Sequence, residues 1–223
     1  MVFKQPLMMG SSDDDAEREE EEELYEVTLS DFKMSKYEIT FEQYDAFCEA
    51  TNREKPSDNG WGHGKMPVIN VSWDDAVAFT EWLGCRLPTE AEWEYACKAG
   101  TETPFSTGKT ITIKQANFDG NYPYGDVPEE EGVGKTLPVG SYPPNAWGLY
   151  DMHGNVGEHC FDLHDNYPTE PVTNPKGSDD GNSRIRRGCG WDEEAKRCRS
   201  AIRFSNNPTE KYDYLGFRVV FGK

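Results

Sequence analysis

The sequence predicts an α+β domain, with helices in its first half and a small antiparallel sheet closed by the C-terminus. Three observations carry this reading. Three segments between residues 40 and 100 place apolar side chains at helical spacing, each behind a capping residue. Residues 101–183 are dense in Gly, Pro, Asn and Asp, with few periodic runs. Short strand-like pieces then follow at Arg184–Arg187, Ser200–Phe204 and Leu215–Phe221. A chain of 223 residues can bury one sizeable core, and no linker or internal repeat divides it, so residues 1–223 are read as a single domain.

Each element has its own local reason. Residues 13–23, DDDAEREEEEE, carry nine carboxylates and are expected to form a mobile, solvated acidic loop. Tyr25 to Ile39 alternates apolar and polar in two runs around Ser30–Asp31, which predicts a hairpin. Thr40 starts the first helix, with Gln43 at the capping-box position and Phe41, Tyr44, Phe47 and Cys48 on one face. Ser72 and Asp75 start the second, with Ala76, Phe79 and Leu83 as its stripe. Thr89 and Glu92 start the third, with Trp93 and Ala96 inward and Gly100 as the left-handed cap. The long loop-rich stretch after Gly100 is of a kind commonly functional or held by ions.

Composition narrows the function classes. Lys and Arg number 23 against 41 Asp and Glu, a net charge of −18. That sign repels phosphate, so nucleic-acid binding and a basic lipid-binding patch are both disfavoured. Only 35% of residues are apolar, yet 13% are aromatic, and disordered chains are poor in aromatics, so this chain is expected to fold. No run approaches the roughly 20 apolar residues of a membrane span. Met1–Gly10 lacks the basic start and apolar run of a signal peptide, so the chain reads as a mature or trimmed domain, a reading compatible with a leader or lipid anchor removed earlier.

The six cysteines contain no CxxC pair, which argues against structural zinc, and their scatter does not suggest a disulfide framework. Cys48 and Cys97 read as small core residues; Cys189 and Cys198 are the pair to watch. His63, His153, His159 and His164 read as solvated loop residues in preference to an iron site built from His153, His159, His164 and Asp162. The GKT triplets at 108–110 and 134–136 lack the first glycine of a phosphate loop, because Thr103 and Glu129 stand there.

Longer blocks then become recognisable, above all RLPTEAEWEYACKAG (86–100) and PVGSYPPNAWGLYDMHGNVGE (138–158), with MPVINVSWDDAVAFTEWL (66–83), RIRRGCGW (184–191), RCRSAIR (197–203) and LGFRVV (215–220). Together they resemble the formylglycine-generating-enzyme (sulfatase-modifying factor) domain over essentially the whole chain. The resemblance implies a C-type-lectin-like fold. It also implies two cysteines, five positions apart, that bind copper(I) through soft thiolates in the family's oxidase. Aligned on Ala201–Ile202–Arg203, those positions are Ala195 and Ser200, so no copper and no oxidase activity are expected. The sulfoxide synthases that resemble this domain add a helical bundle with an iron-binding His motif, which has no counterpart here. The family further implies two structural calcium sites. One maps to Asn117, the Phe118 carbonyl, Glu131 and the Val133 carbonyl; the other to Asp151, the Gly154 carbonyl, the Val156 carbonyl and Glu158. Glu131 departs from the family's usual Asp.

The C-terminal segment 184–221 departs from the pattern in another way. A frame remains at Arg187, Gly188, Trp191, Ala195, Arg199, Ala201, Arg203, Pro208, Gly216, Phe217 and Arg218. Between these lie residues of unrelated chemistry. Gly190, Asp192, Ile202, Phe204, Ser205, Asn206, Asn207, Tyr212, Asp213 and Tyr214 all fit the set reachable from Asn codons by adenine-directed mutagenesis. This is similar to the variable proteins of diversity-generating retroelements. The resemblance implies a non-catalytic, monomeric, cell-surface receptor whose ligand is a protein or a surface glycan, held to the membrane only through a removed lipid anchor. Exposed aromatics on a rigid scaffold suit that role, with Ser and Asn adding adaptable hydrogen bonds. For Phe204 and Tyr214 a place in the core is the equal alternative. At the level of function, the alternatives are an oxygen-dependent metalloenzyme of the same superfamily or a structural subunit that has lost catalysis.

Overall fold

The computed structural model describes residues 7–222. Among them are nine short strands: β1 (Leu7–Met9), β2 (Tyr25–Thr28), β3 (Lys33–Met34), β4 (Gly157–Leu163), β5 (Val172–Thr173), β6 (Arg184–Arg187), β7 (Phe204–Asn206), β8 (Leu215–Gly216) and β9 (Val220–Phe221). Three helices, α1 (Phe41–Thr51), α2 (Trp73–Leu83) and α3 (Glu90–Lys98), lie between β3 and β4. The largest sheet has the order β7-β6-β4-β8, with β6 antiparallel to β4 and β7, and β8 parallel to β4. A second sheet is β1-β2-β5, and β3 pairs with β9.

All three helices start where the sequence places them. Thr40, Ser72 and Thr89 each accept the N3 amide, and Gln43, Asp75 and Glu92 return a bond to the cap amide. The aromatic face of α1 meets that of α2 and the C-terminal Phe217: Tyr44 stacks on Phe79 at 5.6 Å, and Phe217 lies edge-on to Phe79 at 5.4 Å. Burying each such ring stabilises the fold by roughly 2–3 kcal/mol.

Several sequence expectations are corrected. The runs within Tyr25–Ile39 form no hairpin. β2 pairs with β1 and β5, and β3 with β9, because Tyr25 and Val27 pack with Met9 and Ala91 while Met34 packs beside Trp93 and Cys160. Leu83 ends α2 just before the left-handed Gly84 and stays 43% exposed; Trp73 and Thr80 complete the stripe instead. Ala99 (φ 48), whose amide closes on the Tyr95 carbonyl, is the left-handed cap of α3, and Gly100 follows it in the same region. The stretch Ser200–Arg203 is buried irregular chain and the strand starts at Phe204, since Arg187 takes the Ala201 and Ile202 carbonyls. Leu215–Phe221 divides into β8 and β9 in different sheets.

The acidic segment 13–23 is not uniformly solvated. Glu22 is 1% exposed and receives both arms of Arg199 at 2.7 Å, and Asp15 takes the same guanidinium at 3.1 Å. The segment is therefore folded down onto the domain through Glu22 and Asp15, and Glu21 meets His164 at 3.2 Å. His153 and His159 are also buried, which holds both well below the ordinary imidazole range, at about 4. His153 Nε2 accepts the Ser106 amide, so Nδ1 carries the proton and donates to the Cys198 carbonyl at 2.8 Å.

Candidate ligand-binding surface

The pairing of β6 with β7 sets Arg186 opposite Phe204. The Arg186 guanidinium is fixed by a bidentate bond to Glu193 (2.8 and 2.7 Å) and lies over the Phe204 ring at 4.2 Å and the Tyr214 ring at 5.2 Å. Tyr214 stacks on Tyr212 at 4.9 Å, with the rings 17° from parallel. Trp191 meets Trp61 edge-on at 5.3 Å and donates its indole N–H to the Asp213 carbonyl. Asn59 holds the Asp213 carboxylate at 2.8 Å. The result is a ridge of aromatic side chains seated on a guanidinium and bordered by carboxylates. Burial, then Glu193 and Asp213, push the Asp192 carboxyl above its ordinary range.

Eight of the ten expected display residues are accessible. Asp192, Ser205 and Asn207 are exposed; Phe204, Asn206, Tyr212, Asp213 and Tyr214 are half-buried. Ile202 and Gly190 are not display positions. Ile202 is 1% exposed because its stretch threads the interior beneath β6. Gly190 is buried, and a Cβ there would lie 2.5 Å from the Tyr214 Cβ, so only glycine fits. Of the expected frame, Arg187, Gly188, Ala195, Arg199, Ala201, Arg203, Gly216, Phe217 and Arg218 are buried, while Trp191 and Pro208 are half-buried. Sequence reasoning missed Arg186, Trp61 and Asn59. The last two come from residues 59–61, far from the segment they border, and no local pattern marks them.

The interior side of the same segment holds Ala195 and Ser200, where the resemblance implies a thiol pair. Ala195 and Ser200 are both buried, and Cys198 is joined to Cys189 in a disulfide with a Cα–Cα separation of 4.9 Å. The expectation of no disulfide is corrected for this pair: the chain past β6 and the 195–198 turn are brought side by side. A single thiol remains close by, Cys97, which donates to Ser200 Oγ at 3.5 Å and is pushed up to about 12 by burial. A cleft of about 410 Å³ lies here, lined by Ser200, Ala201, Lys98, Tyr124 and residues of the acidic segment.

The two calcium donor sets are arranged differently. Asn117 is buried, and its Oδ1 has no hydrogen-bond partner among the described residues, whereas Nδ2 donates to the Lys135 carbonyl and Asn155. Gly132 packs so tightly on the Phe118 carbonyl that a Cβ would come within 2.7 Å, which sets the exposed Glu131 and Val133 beside Asn117–Phe118. In the second set, Glu158 is engaged by Arg218 at 2.6 and 2.7 Å and by the Trp93 N–H at 2.7 Å. Asp151 accepts the Gly140 amide, burial pushes it up to about 6, and the Gly154 carbonyl accepts the Val156 amide. No group of three or more His, Cys, Asp or Glu among the described residues is arranged to hold a metal ion. That includes His153, His159, His164 and Asp162.

The architecture is that of a C-type-lectin-like α+β domain of the formylglycine-generating-enzyme subclass. Residues 6–223 match the sulfatase-modifying factor enzyme 1-like domain, and the chain belongs to that family. It is 36% identical over 178 residues to the formylglycine-generating enzyme of Mus musculus, covering 75% of this chain and 47% of that protein. The chain spans about half the length of the curated relatives it matches. Among solved structures, PvdO from Pseudomonas aeruginosa superposes with a TM-score of 0.83 at 30% identity, covering 99% of this chain and 97% of PvdO. Treponema denticola variable protein 1 superposes with a TM-score of 0.81 at 26% identity, covering 98% and 92%. The proteins this chain resembles thus include some named as enzymes and one named as a variable protein.

Proposed function

We propose that this domain is a non-catalytic ligand-binding protein whose recognition surface is the ridge of Phe204, Tyr212 and Tyr214 with Asp192, Ser205, Asn206, Asn207 and Asp213. The observation that carries the reading is the division of the C-terminal segment: Arg187, Arg199, Arg203 and Arg218 are buried and ion-paired, while eight of the ten chemically diverse residues between the frame positions reach solvent. A surface built this way tolerates exchange of its side chains without loss of the fold. The likeness to Treponema denticola variable protein 1 supports diversification of these positions by a retroelement. The Cys189–Cys198 disulfide supports a place outside the cytosol, at the cell surface. The ligand is a protein or a surface glycan, and the domain acts as a monomer. Structural calcium fits best at Asn117, where an acceptor oxygen stands free for a hard cation.

Loss of oxidase chemistry follows from Ala195 and Ser200. While Cys198 stays tied to Cys189, that pair offers copper(I) no thiolate. The test pairs two measurements on the full chain. Copper(I) titration with a cysteine-peptide oxidation assay is expected to show neither stoichiometric binding nor turnover; turnover overturns the reading in favour of an enzyme. Screening on a glycan array and on cell-surface proteins is expected to yield a ligand that Phe204→Ala with Tyr212→Ala weakens at least tenfold. A reverse transcriptase gene and a template repeat beside this gene are expected if the surface is diversified.

A further inference from the structure

A second cleft, of about 380 Å³, opens between the first turn of α3 and the segment 162–177. Met9, Ala91 and Val172 give it apolar walls, and Tyr167 and Arg203 also line it. Arg203 is 92% buried by virtue of an 8% exposure, and its Nε and Nη2 are committed to Glu90 at 2.7 and 2.8 Å. Its Nη1 has no hydrogen-bond partner among the described residues, and neither has the Tyr167 hydroxyl. Two polar groups left in this condition at one cleft are costly unless something completes them.

The charge balance says what that is. Lys98 pairs with Glu94, Glu94 with Arg187, Arg187 with Glu90, and Glu90 with Arg203. Three cations and two carboxylates alternate along this buried chain, leaving one positive charge unmatched, and its end at the cleft is Arg203. Asp165 and Lys176 on the rim are exposed and opposite in sign, so they cancel. Asp162, also on the wall, does not supply the missing charge at neutral pH, because burial and Glu90 push its carboxyl up to about 8.

We propose that this cleft is a binding site for a small monoanionic carboxylate with a short apolar tail, its oxygens accepting from Arg203 Nη1 and the Tyr167 hydroxyl. One negative charge matches the deficit, whereas a dianion would set a surplus charge beside Glu90. The tail lies on Met9, Ala91 and Val172. Tyr167 covers the Arg203 guanidinium at 3.9 Å from an irregular stretch between Asn166 and Pro168, and the proposal requires its side chain to shift as the ligand enters. The site does not depend on the aromatic ridge being a recognition surface.

The probe is butanoate, titrated into the full chain at pH 7, with butanol and inorganic phosphate in parallel. The readout is the NMR resonance of the Arg203 Nε–H, which its bond to Glu90 protects. Saturable shifts are expected with butanoate and not with butanol or phosphate. Tyr167→Phe keeps the ring over Arg203 and is expected to weaken butanoate about tenfold with an unchanged unfolding midpoint. Absence of saturation with butanoate overturns the proposal and leaves a cleft holding water. Equal saturation by phosphate, which has no apolar tail, overturns the carboxylate assignment, and undiminished binding in a folded Tyr167→Phe overturns the placement at these two donors.

Discussion

At the scale of single residues, the C-terminal segment holds neighbours with opposite duties. Ile202 is sealed in the interior two positions before Phe204, whose ring reaches the surface over Arg186. Urea denaturation is expected to separate them. Ile202→Asn introduces an unpaired amide and a packing defect and costs about 3 kcal/mol; Tyr212→Ala costs about 1 kcal/mol or less. Arg199 shows a further residue-scale dependence. Its guanidinium is 1% exposed and holds Glu22 and Asp15, so Arg199→Met strands two buried carboxylates. A loss of about 3–5 kcal/mol is expected, with residues 11–23 becoming susceptible to limited proteolysis. An unchanged proteolysis pattern would show that the acidic segment does not rely on Arg199.

At the scale of elements, the capping boxes explain why the helix starts are set locally, while packing of their buried faces holds the helices in place. Thr89→Ala removes the side-chain acceptor for Glu92 N–H at the start of α3 and is expected to cost about 1 kcal/mol by thermal or urea unfolding. The strands behave in the opposite way. β3, β8 and β9 each have two residues and exist only through partners far away in the chain. The disulfide is what ties the 195–198 turn to the end of β6, closing a short loop. Its reduction is expected to cost about 2.5 kcal/mol in the chain-entropy description. Because Asp192 lies inside that loop, ligand binding at the ridge should weaken on reduction while the Phe217-centred core persists.

At the scale of the whole molecule, the interior is held by buried guanidinium–carboxylate pairs as much as by apolar contact: Arg187 with Glu94, Arg199 with Glu22, Arg203 with Glu90 and Arg218 with Glu158. This is how a chain with so small an apolar fraction fills its core. Buried pairs of this kind favour one arrangement over alternatives, because breaking any of them leaves a charge without solvent. The titration of Asp162 is felt at the same scale. Its folded-state value, about 8, lies above the unfolded value near 4. Between those values the folded chain holds a proton that the unfolded chain has lost. The contribution is therefore full below about pH 4, declines as pH rises towards 8, and is flat beyond. Asp162→Asn can still accept the Glu90 amide, so urea unfolding at pH 5 and pH 8 is expected to show the variant gaining on the parent with pH, by up to about 1.4 kcal/mol per unit. A constant difference across that range would show that Asp162 ionises normally.

What could be read in advance was whatever is decided within a turn or two of chain. The starts of α1, α2 and α3, the inward faces of α1 and α3 and the bounds of β6 all follow from neighbouring residues. The division past residue 187 into frame and intervening positions came from the family resemblance, and it matches the burial at eight of the ten intervening positions. Only the tertiary structure decided that Tyr25–Thr28 and Lys33–Met34 join different sheets, that Ile202 and Gly190 face inward, that Glu22 and Asp15 leave solvent for Arg199, and that Cys189 meets Cys198. The physical reason is common to all of these. Strand partners, charge partners and burial depend on which distant segment arrives alongside, and period-two alternation or a run of carboxylates reads the same whichever segment that is.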